Sequence, residues 1–508
     1  MSLARTRSIA LSGIDGQLID IEAHIANGLP IVTVIGLGDK SVSEARERIQ
    51  AAVANSGLPW PNRRVTIALL PADLPKAGSR FDVAMALAVL AAAGAVPAEA
   101  VAGCVWVGEL GLDGRLRATR GVLPAAVAAR RAGVPMMIVP EANAAEAALL
   151  DGLEVRVAAD LGQIARWLRR EGDPPPLVAP APGAAQCGGP DLRDVLGQAG
   201  ARRALEIAAA GGHHLALSGV PGVGKTMLAS RLPGLLPALD DQTALELAAV
   251  RSVAGSLPAG GGLSLRPPFE APHHSASVAS LVGGGSGLAR PGAISRAHGG
   301  VLFLDEAPEF AMAALDALRQ PLESGQVVLH RSAGAVAYPA RFQLVLAANP
   351  CPCASASERG CTCSPMARRR YRQRLSGPLI DRIDLNVTVY PVPGAQLLGD
   401  SAGPAPESSA AVAARVAAAR RAAERRWAQH GWRCNAEASG AVLRSAPWRP
   451  PRAALRLAET ALERGLLSAR GFDRVLRMAW SIADLAGRDS PGEDELAEAI
   501  SYRTGALS

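Results

Sequence analysis

The feature that most constrains how this chain folds is a glycine-rich stretch between an apolar run and a helical pattern. It follows the pattern G-x-x-x-x-G-K-T and consists of Gly219, Val220, Pro221, Gly222, Val223, Gly224, Lys225 and Thr226. In this setting, glycines let backbone N–H groups wrap around nucleotide phosphates at the positive end of a helix. We expect Lys225 to reach the β- and γ-phosphates and Thr226 to bind Mg²⁺. The stretch predicts an α/β nucleotide-binding core.

An acidic pair follows an apolar strand further along the chain. The run Val301 to Leu304 ends in Asp305 and Glu306. A carboxylate at the end of such a strand lies beside the phosphate loop in these folds, so we expect Asp305 to hold magnesium. Glu306 is placed to polarise the attacking water, which predicts hydrolysis rather than binding alone.

Polar and basic residues downstream match further parts of a hydrolytic site. The apolar strand "FQLVLAANP" leads to Asn349, where a polar residue is expected to touch the γ-phosphate and the water. An arginine that reaches a neighbouring subunit's γ-phosphate stabilises transition-state charge. The arginines in the right order along the chain are Arg374, Arg382, Arg470, Arg474 and Arg477. Each alone would more often be a surface arginine, and it is their order after the two phosphate motifs that favours the catalytic role.

Two proline-, glycine- and alanine-rich stretches divide the 508-residue chain. Residues 171–190 and 396–410 lack hydrophobic periodicity and are predicted to be linkers. They separate a mixed α/β block at 1–170, the nucleotide-binding block at 191–395 and a helical block at 411–508, interrupted at Trp448 to Pro451. This number of blocks agrees with the about two to four domains that the length predicts.

The charge is uneven: residues 411–464 hold eleven arginines and four acids, a balance of 11 − 4 = +7, which equals the net charge of the whole chain. Such a patch suits phosphates, although a solvated helix face in an arginine-rich chain is an equal alternative. Acids interrupt any secretion signal, and the apolar run from Val83 to Val96 is too short to span a bilayer. We therefore expect a cytoplasmic protein that does not associate with a membrane.

At this point the sequence resembles AAA+ ATPases of the magnesium-chelatase-like group, specifically the ComM/YifB type. The resemblance covers nearly the whole chain and is carried by the phosphate-loop segment together with "FEAPHHSASVASLVGGG", "PGAISRAHGGVLFLDEAPEF", "RYRQRLSGPLIDRIDL" and "LSARGFDRVLRMAWSIADL". It implies an AAA+ P-loop core with a helical C-terminal lid, preceded by an α+β domain similar to Lon protease and the RadA C-terminal domain. It further implies a hexameric DNA helicase that promotes branch migration during natural transformation.

The resemblance assigns roles to individual residues. Because "DRIDL" is similar to the "SRFDL" arginine finger of MCM helicases, Arg382 is favoured over Arg374 as the finger acting in trans. Arg470 in "SARG" matches the second sensor, with Arg474 as its rival, and Asn349 matches the first sensor. Where the family more often reads "DELPEF" and "MNPCPC", this chain has Ala307 and Ala348; neither replaces a charged catalytic residue.

Two insertions are expected to face the pore of the ring. They are a helix insertion at 271–285 and a hairpin at 327–342. DNA contacts by His273, His274 or Arg331 and burial or ring contacts of the histidines are equal alternatives.

The first block lacks the catalytic dyad of a Lon-type protease. A serine nucleophile needs an adjacent base within hydrogen-bond reach. The expected nucleophile position falls on Arg80, one residue after Ser79, and the expected lysine position holds Leu123. Lys40 and Lys76 are the block's lysines, and neither is at that position. We expect a non-proteolytic platform.

Four of the seven cysteines follow Asn349 with the spacing C-x-C-x₇-C-x-C. They are Cys351, Cys353, Cys361 and Cys363. Four thiolates in a short loop predict a structural tetrahedral zinc site, although one-residue spacing is tighter than the usual C-x-x-C. Redox-active thiols and unliganded cysteines are the alternatives.

Three functions are compatible with these residues. The first is an ATP-hydrolysing ring motor that acts on single-stranded or branched DNA. The second is a chelatase motor subunit, although we would not expect it to carry the N-terminal block or the cysteine loop. The third is a regulatory ATPase that acts on protein partners, which fold alone does not exclude.

Overall fold

The structure, a computed structural model, describes residues 2–36, 40–178, 188–258, 262–285, 289–331, 334–355, 360–375, 377–394 and 406–505. Its architecture is a mixed α/β arrangement of two large sheets followed by a helical region. This agrees with the expected AAA+ type of core. The division into three domains stays a prediction.

The N-terminal region is built on one seven-stranded sheet with helices packed against it. The strands of this sheet are β1 Ser2–Ser12, β2 Asp15–Ala26, β3 Val32–Ile35, β4 Arg64–Leu70, β5 Cys104–Trp106, β8 Met136–Pro140 and β9 Glu154–Ala158. Two further strands, β6 Glu109–Leu110 and β7 Leu116–Arg117, pair with each other in a separate antiparallel sheet. Its helices are α1 Lys40–Asn55, α2 Asp82–Ala92, α3 Ala98–Ala102, α4 Val122–Arg131, α5 Ala144–Ala147 and α6 Leu161–Leu168. The strand order is β3-β4-β2-β1-β5-β8-β9. Every residue of α2 is buried, as its nearly unbroken apolar sequence requires.

The central region contains a five-stranded parallel sheet. Its strands and two hairpins are β10 Leu215–Ser218, β11 Phe269–Glu270, β12 Gly283–Gly284, β13 Arg290–Pro291, β14 Val301–Leu304, β15 Gln326–Arg331, β16 Gly334–Pro339, β17 Gln343–Ala348 and β18 Leu385–Thr388. Its helices are α7 Ala199–Gly211, α8 Lys225–Arg231, α9 Asp241–Ala254, α10 Val278–Val282, α11 Ala293–Arg296, α12 Met312–Asp316, α13 Arg319–Ser324, α14 Pro365–Gln373 and α15 Gly377–Ile380. The sheet order is β11-β14-β17-β10-β18. β10, β14 and β17 are buried throughout, as expected of parallel strands covered on both faces.

The C-terminal region is helical. It comprises α16 Ser409–Trp427, α17 Gly440–Leu443, α18 Arg452–Glu463, α19 Ala469–Leu485 and α20 Glu493–Arg503. The sequence pattern predicts a single interruption at Trp448 to Pro451, but the chain also leaves helical structure after Trp427, where Gly431 adopts a φ of 69° that glycine tolerates. Three other tryptophan rings pack against Trp427 with centroids 5.1 to 6.2 Å away, which closes the bundle.

Both predicted linkers begin or end differently from the expectation. Leu177 bridges to Arg156 beside β9, and the Val178 N–H donates to the Val155 carbonyl at 2.9 Å, so the first part of 171–190 completes the N-terminal sheet. At the second linker, Ser408 caps α16, which already begins at Ser409. Backbone pairing with β9 explains the first difference, and the Ser408 side chain, which accepts the Ala411 N–H at the start of the helix, explains the second. Residues 179–187 and 395–405 lie outside the described residues.

Helix α9 joins the N-terminal region to the central one. The Gly121 N–H donates to the Ser252 carbonyl at 3.3 Å, and the Ser252 hydroxyl also donates to Glu146. On the same helix, Val250 and Val253 pack against Tyr338 of the β15–β16 hairpin. The helix therefore touches both regions at once.

Within the part of the chain that the structure describes, no helix combines the length and apolar character needed to cross a membrane.

Candidate nucleotide-binding site

The phosphate loop lies where the buried strand β10 meets helix α8. Gly222 and Gly224 have φ angles of 80° and 93°, in the left-handed region that glycine adopts at low cost. A Cβ added to Gly219 would lie 2.4 Å from the Val389 carbonyl oxygen, so a side chain cannot be accommodated there. The loop conformation thus depends on glycine at three positions of the sequence pattern.

Lys225 is folded back onto the loop that precedes it. Its Nζ donates to the carbonyl oxygens of Gly219 at 2.6 Å and Val220 at 3.0 Å, and to Asn349 Oδ1 at 3.0 Å. Lys225 is buried, and this burial lowers its pKa. A phosphate arriving at the loop would offer this ammonium an anionic acceptor in place of neutral oxygens, and charge-assisted hydrogen bonds are the stronger kind.

The acidic pair lies directly across from the loop. Thr226 Oγ1 donates to Asp305 Oδ2 at 2.7 Å. Asp305 Oδ1 accepts the backbone N–H of Glu306 at 2.9 Å, and Glu306 adopts a φ of 50°, which is uncommon for a residue with a side chain. The two oxygen ligands, a hydroxyl and a carboxylate, are the type that magnesium prefers. The predicted residues are therefore neighbours in space.

Parallel strand pairing explains this convergence. Leu304 pairs with Leu346, and Ala348 pairs with Ser218, so β14, β17 and β10 end at one edge of the sheet. Asp305, Asn349 and the loop each follow one of these ends. The carboxyl edge of a parallel sheet is the usual place for a ligand site.

Among the described side chains, the ion pairs of the predicted arginines lie outside the phosphate loop. Arg382 binds Glu323 and the Pro378 carbonyl and lies just before β18, at the opposite edge of the sheet from the loop. Its rival Arg374 binds Glu309 at 3.0 Å. Arg474 pairs with buried Asp384 at that same opposite edge, and Arg470, one helical turn earlier, is exposed. The roles of Arg382 and Arg470 stay predictions.

The predicted insertions are present with shorter helical structure than expected. Within 271–285 only Val278–Val282 is helical. In the described part of 327–342, β15 pairs with β16 as a hairpin, and Arg331 is the last residue of β15. Arg331 donates to the Gly285 carbonyl, so the two insertions touch. His273 Nδ1 lies 2.8 Å from Ser275 Oγ, whereas His274 Nδ1 lies 3.1 Å from Glu306 Oε2. Neither histidine is fully buried.

A cavity next to the phosphate loop was not anticipated from the sequence. It has a volume of about 520 Å³, and its walls include Gln198, Tyr390 and Tyr502. Gln198 Nε2 donates to the carbonyl of loop residue Val223 at 3.3 Å. Two of the chain's four tyrosines line this cavity. The small number of tyrosines in the sequence was the available signal that these two residues merit attention.

The four clustered cysteines converge as their spacing predicts. Their Sγ atoms all lie within 4.8 Å of one another, and Cys351 Sγ is 3.2 Å from Cys353 Sγ and 3.4 Å from Cys361 Sγ. A tetrahedral zinc with Zn–S bonds of about 2.3 Å separates its sulfurs by about 3.8 Å, so the cluster fits that ion. Hydrogen bonding from Cys351 lowers the pKa of the Cys353 thiol.

The N-terminal residues at the expected protease positions have other partners. Ser79 donates to Glu109, and Lys76 is buried and donates to the Pro71 carbonyl. Arg80 is buried against the Arg120 carbonyl at 2.8 Å, and burial lowers its pKa to about 10. Among the described residues, no serine–lysine pair is seen at this place.

Comparison with known protein families matches three segments of the chain. Residues 191–397 match the family described as magnesium chelatase, subunit ChlI; residues 21–143 match subunit ChlI of Mg-chelatase; and residues 406–503 match the ChlI C-terminal family. Because the N-terminal match also carries the ChlI description, the N-terminal block does not by itself separate this chain from chelatase subunits.

Full-length relatives give a closer comparison. An uncharacterized protein of Mycobacterium tuberculosis is 54% identical over 100% of both chains. YifB of Escherichia coli is 42% identical over 99% of this chain and 97% of its own length. Competence protein ComM of Haemophilus influenzae is 41% identical over 99% of this chain and 98% of its own length. A shorter match, 30% identity over 167 residues, is to Lon protease of Mycolicibacterium smegmatis and covers 31% of this chain; a Lon-like N-terminal domain stays a prediction.

Proposed function

The chain belongs to the family of magnesium-chelatase-like AAA+ proteins that includes YifB and ComM, and we propose that it is an ATP-hydrolysing ring motor acting on DNA, a branch-migration helicase of recombination or natural transformation. The family implies the use of ATP and magnesium. The observation that carries the hydrolytic part is the meeting of Lys225, Thr226, Asp305 and Asn349 at one sheet edge.

Each side chain at this edge has a distinct task in the proposed reaction. Lys225 leaves the loop carbonyls and Asn349 to hold the β- and γ-phosphates, while Thr226 and Asp305 hold magnesium. Magnesium, when bound, neutralises phosphate charge. Glu306 accepts the proton of the attacking water, and Asn349 orients that water. Positioning and charge stabilisation account for most of the catalysis in such reactions.

We assign the adenosine end of ATP to the cavity beside the loop. Tyr390 and Tyr502 offer aromatic faces for a base, and about 520 Å³ is within the range of small-molecule sites. Gln198 joins the cavity to the phosphate loop through the Val223 carbonyl, so base and phosphates would occupy one continuous surface.

The placement of the arginines supports assembly of several chains. Arg382 precedes β18, whose four residues extend about 13 Å toward the carboxyl edge. An arginine at the opposite edge is badly placed for its own nucleotide, so the nucleotide it would meet, on leaving Glu323, is that of a neighbouring subunit. We therefore propose that Arg382, and Arg470 in its sensor role, act between subunits of a homo-oligomeric ring, with a hexamer as the expected form.

DNA is the proposed substrate for two reasons. A full-length relative is named as a competence protein, and the helical region carries the basic excess of residues 411–464. A chelatase motor subunit and an ATPase acting on protein partners are the alternatives that a DNA-dependence test separates from this one.

We propose that Cys351, Cys353, Cys361 and Cys363 hold a structural zinc. Four thiolate ligands leave no open coordination position, so the ion would fix the loop between Asn349 and α14 rather than take part in catalysis. The test is metal analysis of the purified chain together with the Cys361→Ser, Cys363→Ser double variant. One zinc per chain, lost in the variant, is expected; metal-free wild-type protein would reject the zinc site and leave redox-active thiols or unliganded cysteines as the alternatives.

The central experiment measures ATP hydrolysis by the purified chain with no DNA, with single-stranded DNA and with forked DNA. Lys225→Ala is the control and should abolish turnover. Stimulation by DNA that is lost in this variant supports the proposal. Hydrolysis that no DNA changes would leave the ATPase assignment intact and reject DNA as the substrate.

A further inference from the structure

The helical region carries a surface that no step of the proposed reaction uses. It comprises the solvent side of α16 and the turn that follows this helix, and the α16 surface is defined here by Arg421, Arg425, His430 and Trp432. We propose that the α16 surface binds single-stranded nucleic acid, with its two arginines on backbone phosphates and its ring pair stacked on an unpaired base. The inference rests on the proposed DNA substrate and names the form of that substrate and the residues that hold it.

The arginines of α16 fall into two groups. Three have partners within the protein, namely Arg415 with Glu206, Arg420 with the Ala209 carbonyl and Arg426 with Asp484. Arg421 and Arg425 are exposed, and in the described part of the chain their guanidinium groups have no hydrogen-bond or ion-pair partner. Positive charge that the protein does not neutralise attracts phosphates from outside it.

The two unpaired arginines lie on the side of α16 that faces away from the core. The buried residues of this helix are Val412, Val416, Ala419, Ala423 and Trp427. With 3.6 residues per turn, Arg421 and Arg425 lie roughly opposite the middle of that buried face and about 6 Å apart along the axis. The helix contains one acid, Glu424, so its net charge is 5 − 1 = +4. One strand can therefore contact both arginines.

An aromatic pair lies directly after α16. The rings of His430 and Trp432 are stacked, with centroids 4.4 Å apart and planes at 19°. Trp432 packs against the core, with its centroid 5.8 Å from that of Trp427, whereas His430 is exposed. Unpaired bases stack on aromatic side chains of this kind, while the bases of a duplex are already stacked on one another. The ring pair should therefore contribute to binding of an unpaired strand only.

Helix α18 supplies a matched control. Arg452 and Arg456 are also four residues apart and exposed, and their side chains too are without a partner among the residues that the structure describes. However, α18 contains no aromatic residue. A loss of binding that reflects only the lower charge of the helical region should appear equally for both arginine pairs.

The test measures binding of the full-length chain to a fluorescein-labelled oligothymidylate and to a blunt duplex at several salt concentrations. The double variant Arg421→Gln, Arg425→Gln should weaken oligothymidylate binding and reduce the slope of log K against log salt by about 1.4, since each phosphate contact with a single strand contributes about 0.7. His430→Ala should raise Kd for the oligothymidylate by about 5- to 150-fold, the range for one stacked base, at an unchanged slope. It should leave duplex binding unaltered, and His430→Tyr should stay near the wild type.

An equal loss in the control variant Arg452→Gln, Arg456→Gln overturns the proposal, as does oligothymidylate binding that none of the α16-surface variants changes. A loss in His430→Ala that is the same for the duplex also overturns it. A wild-type chain that binds neither oligonucleotide rejects the proposed DNA substrate together with this inference. Binding that survives the substitutions keeps DNA as the substrate and rejects the α16 surface alone.

Discussion

The two edges of the five-stranded sheet carry similar polar side chains in opposite surroundings. At the carboxyl edge, Thr226 and Glu306 are exposed and Asp305 is partly exposed. At the amino edge, His213 and Asp384 are buried beneath the C-terminal helices. The first edge is open to a substrate, whereas the second is closed by the protein itself.

The amino edge forms a network that joins the sheet to the helical region. Asp384 accepts the His214 backbone N–H at 3.0 Å and pairs with Arg474 of α19. His213 Nε2 lies 2.7 Å from Ser481 Oγ, whose partner Asn435 Nδ2 is 3.1 Å away. Buried polar groups of this kind are costly when left unpaired, so the network fixes the helices in one place.

The comparison shows that residue type does not separate catalysis from structure. Acid, base and hydroxyl groups occur at both edges, and hydrogen bonds connect them at both. Solvent exposure decides their roles, because an exposed carboxylate can exchange its partners for a ligand and a buried one cannot. Substitutions should therefore affect activity at one edge and stability at the other.

The largest effect is expected for Glu306→Gln. Loss of the proposed general base should lower kcat for ATP by about 10²- to 10⁴-fold, with little change in thermal unfolding, because the side chain is half exposed. Steady-state kinetics and calorimetry measure the two quantities. Glu309→Gln, three residues further on, is the control. An equal loss of kcat in both variants would contradict a distinct catalytic role for Glu306.

Asp384→Asn should produce the strongest loss of stability. The change leaves Arg474 without its buried carboxylate, which typically costs about 3–5 kcal/mol. Denaturant unfolding gives the free energy. An unchanged midpoint would show that the amino edge is no more structural than the carboxyl edge.

The pH dependence of stability should reflect His214. Its burial lowers its pKa from the ordinary 6.5 to about 4, with Asp384, Arg474 and His213 as the charged or titratable neighbours. Since the folded pKa lies below the unfolded one, the contribution is complete above pH 6.5 and declines as pH falls toward 4, by at most about 3 kcal/mol. Unfolding curves across this range, compared with His214→Asn, measure it; parallel curves for the two proteins would contradict the assignment.

The smallest effect is expected for Ser481→Ala, which removes one hydroxyl from the amino-edge network. Its hydrogen bonds to His213 and Asn435 predict a loss of about 1–3 kcal/mol in the free energy of unfolding, toward the lower end if the partners rearrange. The ATPase rate should not change. A rate loss without a stability loss would show that the two edges are coupled.

Much of the carboxyl edge could be predicted from the sequence. The phosphate loop, the acidic pair and Asn349 each follow an apolar strand, and parallel strands end together, so their meeting is a consequence of local pattern. The cysteine cluster was predicted in the same way, because four thiols within thirteen residues cannot lie far apart. Both inferences depend on short-range information.

The remaining features depend on contacts between distant segments. The pairing of Leu177 with the N-terminal sheet turned part of a predicted linker into structure. The ion pair with Asp384 holds Arg474, the alternative candidate for the second sensor, at the amino edge. Composition and periodicity carry no signal for either contact, because the local sequence around each partner does not distinguish it from other residues of its type.

Local sequence patterns were therefore enough to predict the α/β core, the glycine-rich loop and the family, since glycine conformations, strand ends and motif order are local properties. Tertiary structure alone decided that His274 faces Glu306, that Tyr390 and Tyr502 share a cavity, and that Arg382 lies away from its own loop. The reason is physical: strand order and burial set which side chains meet, and both arise only when the whole chain has packed.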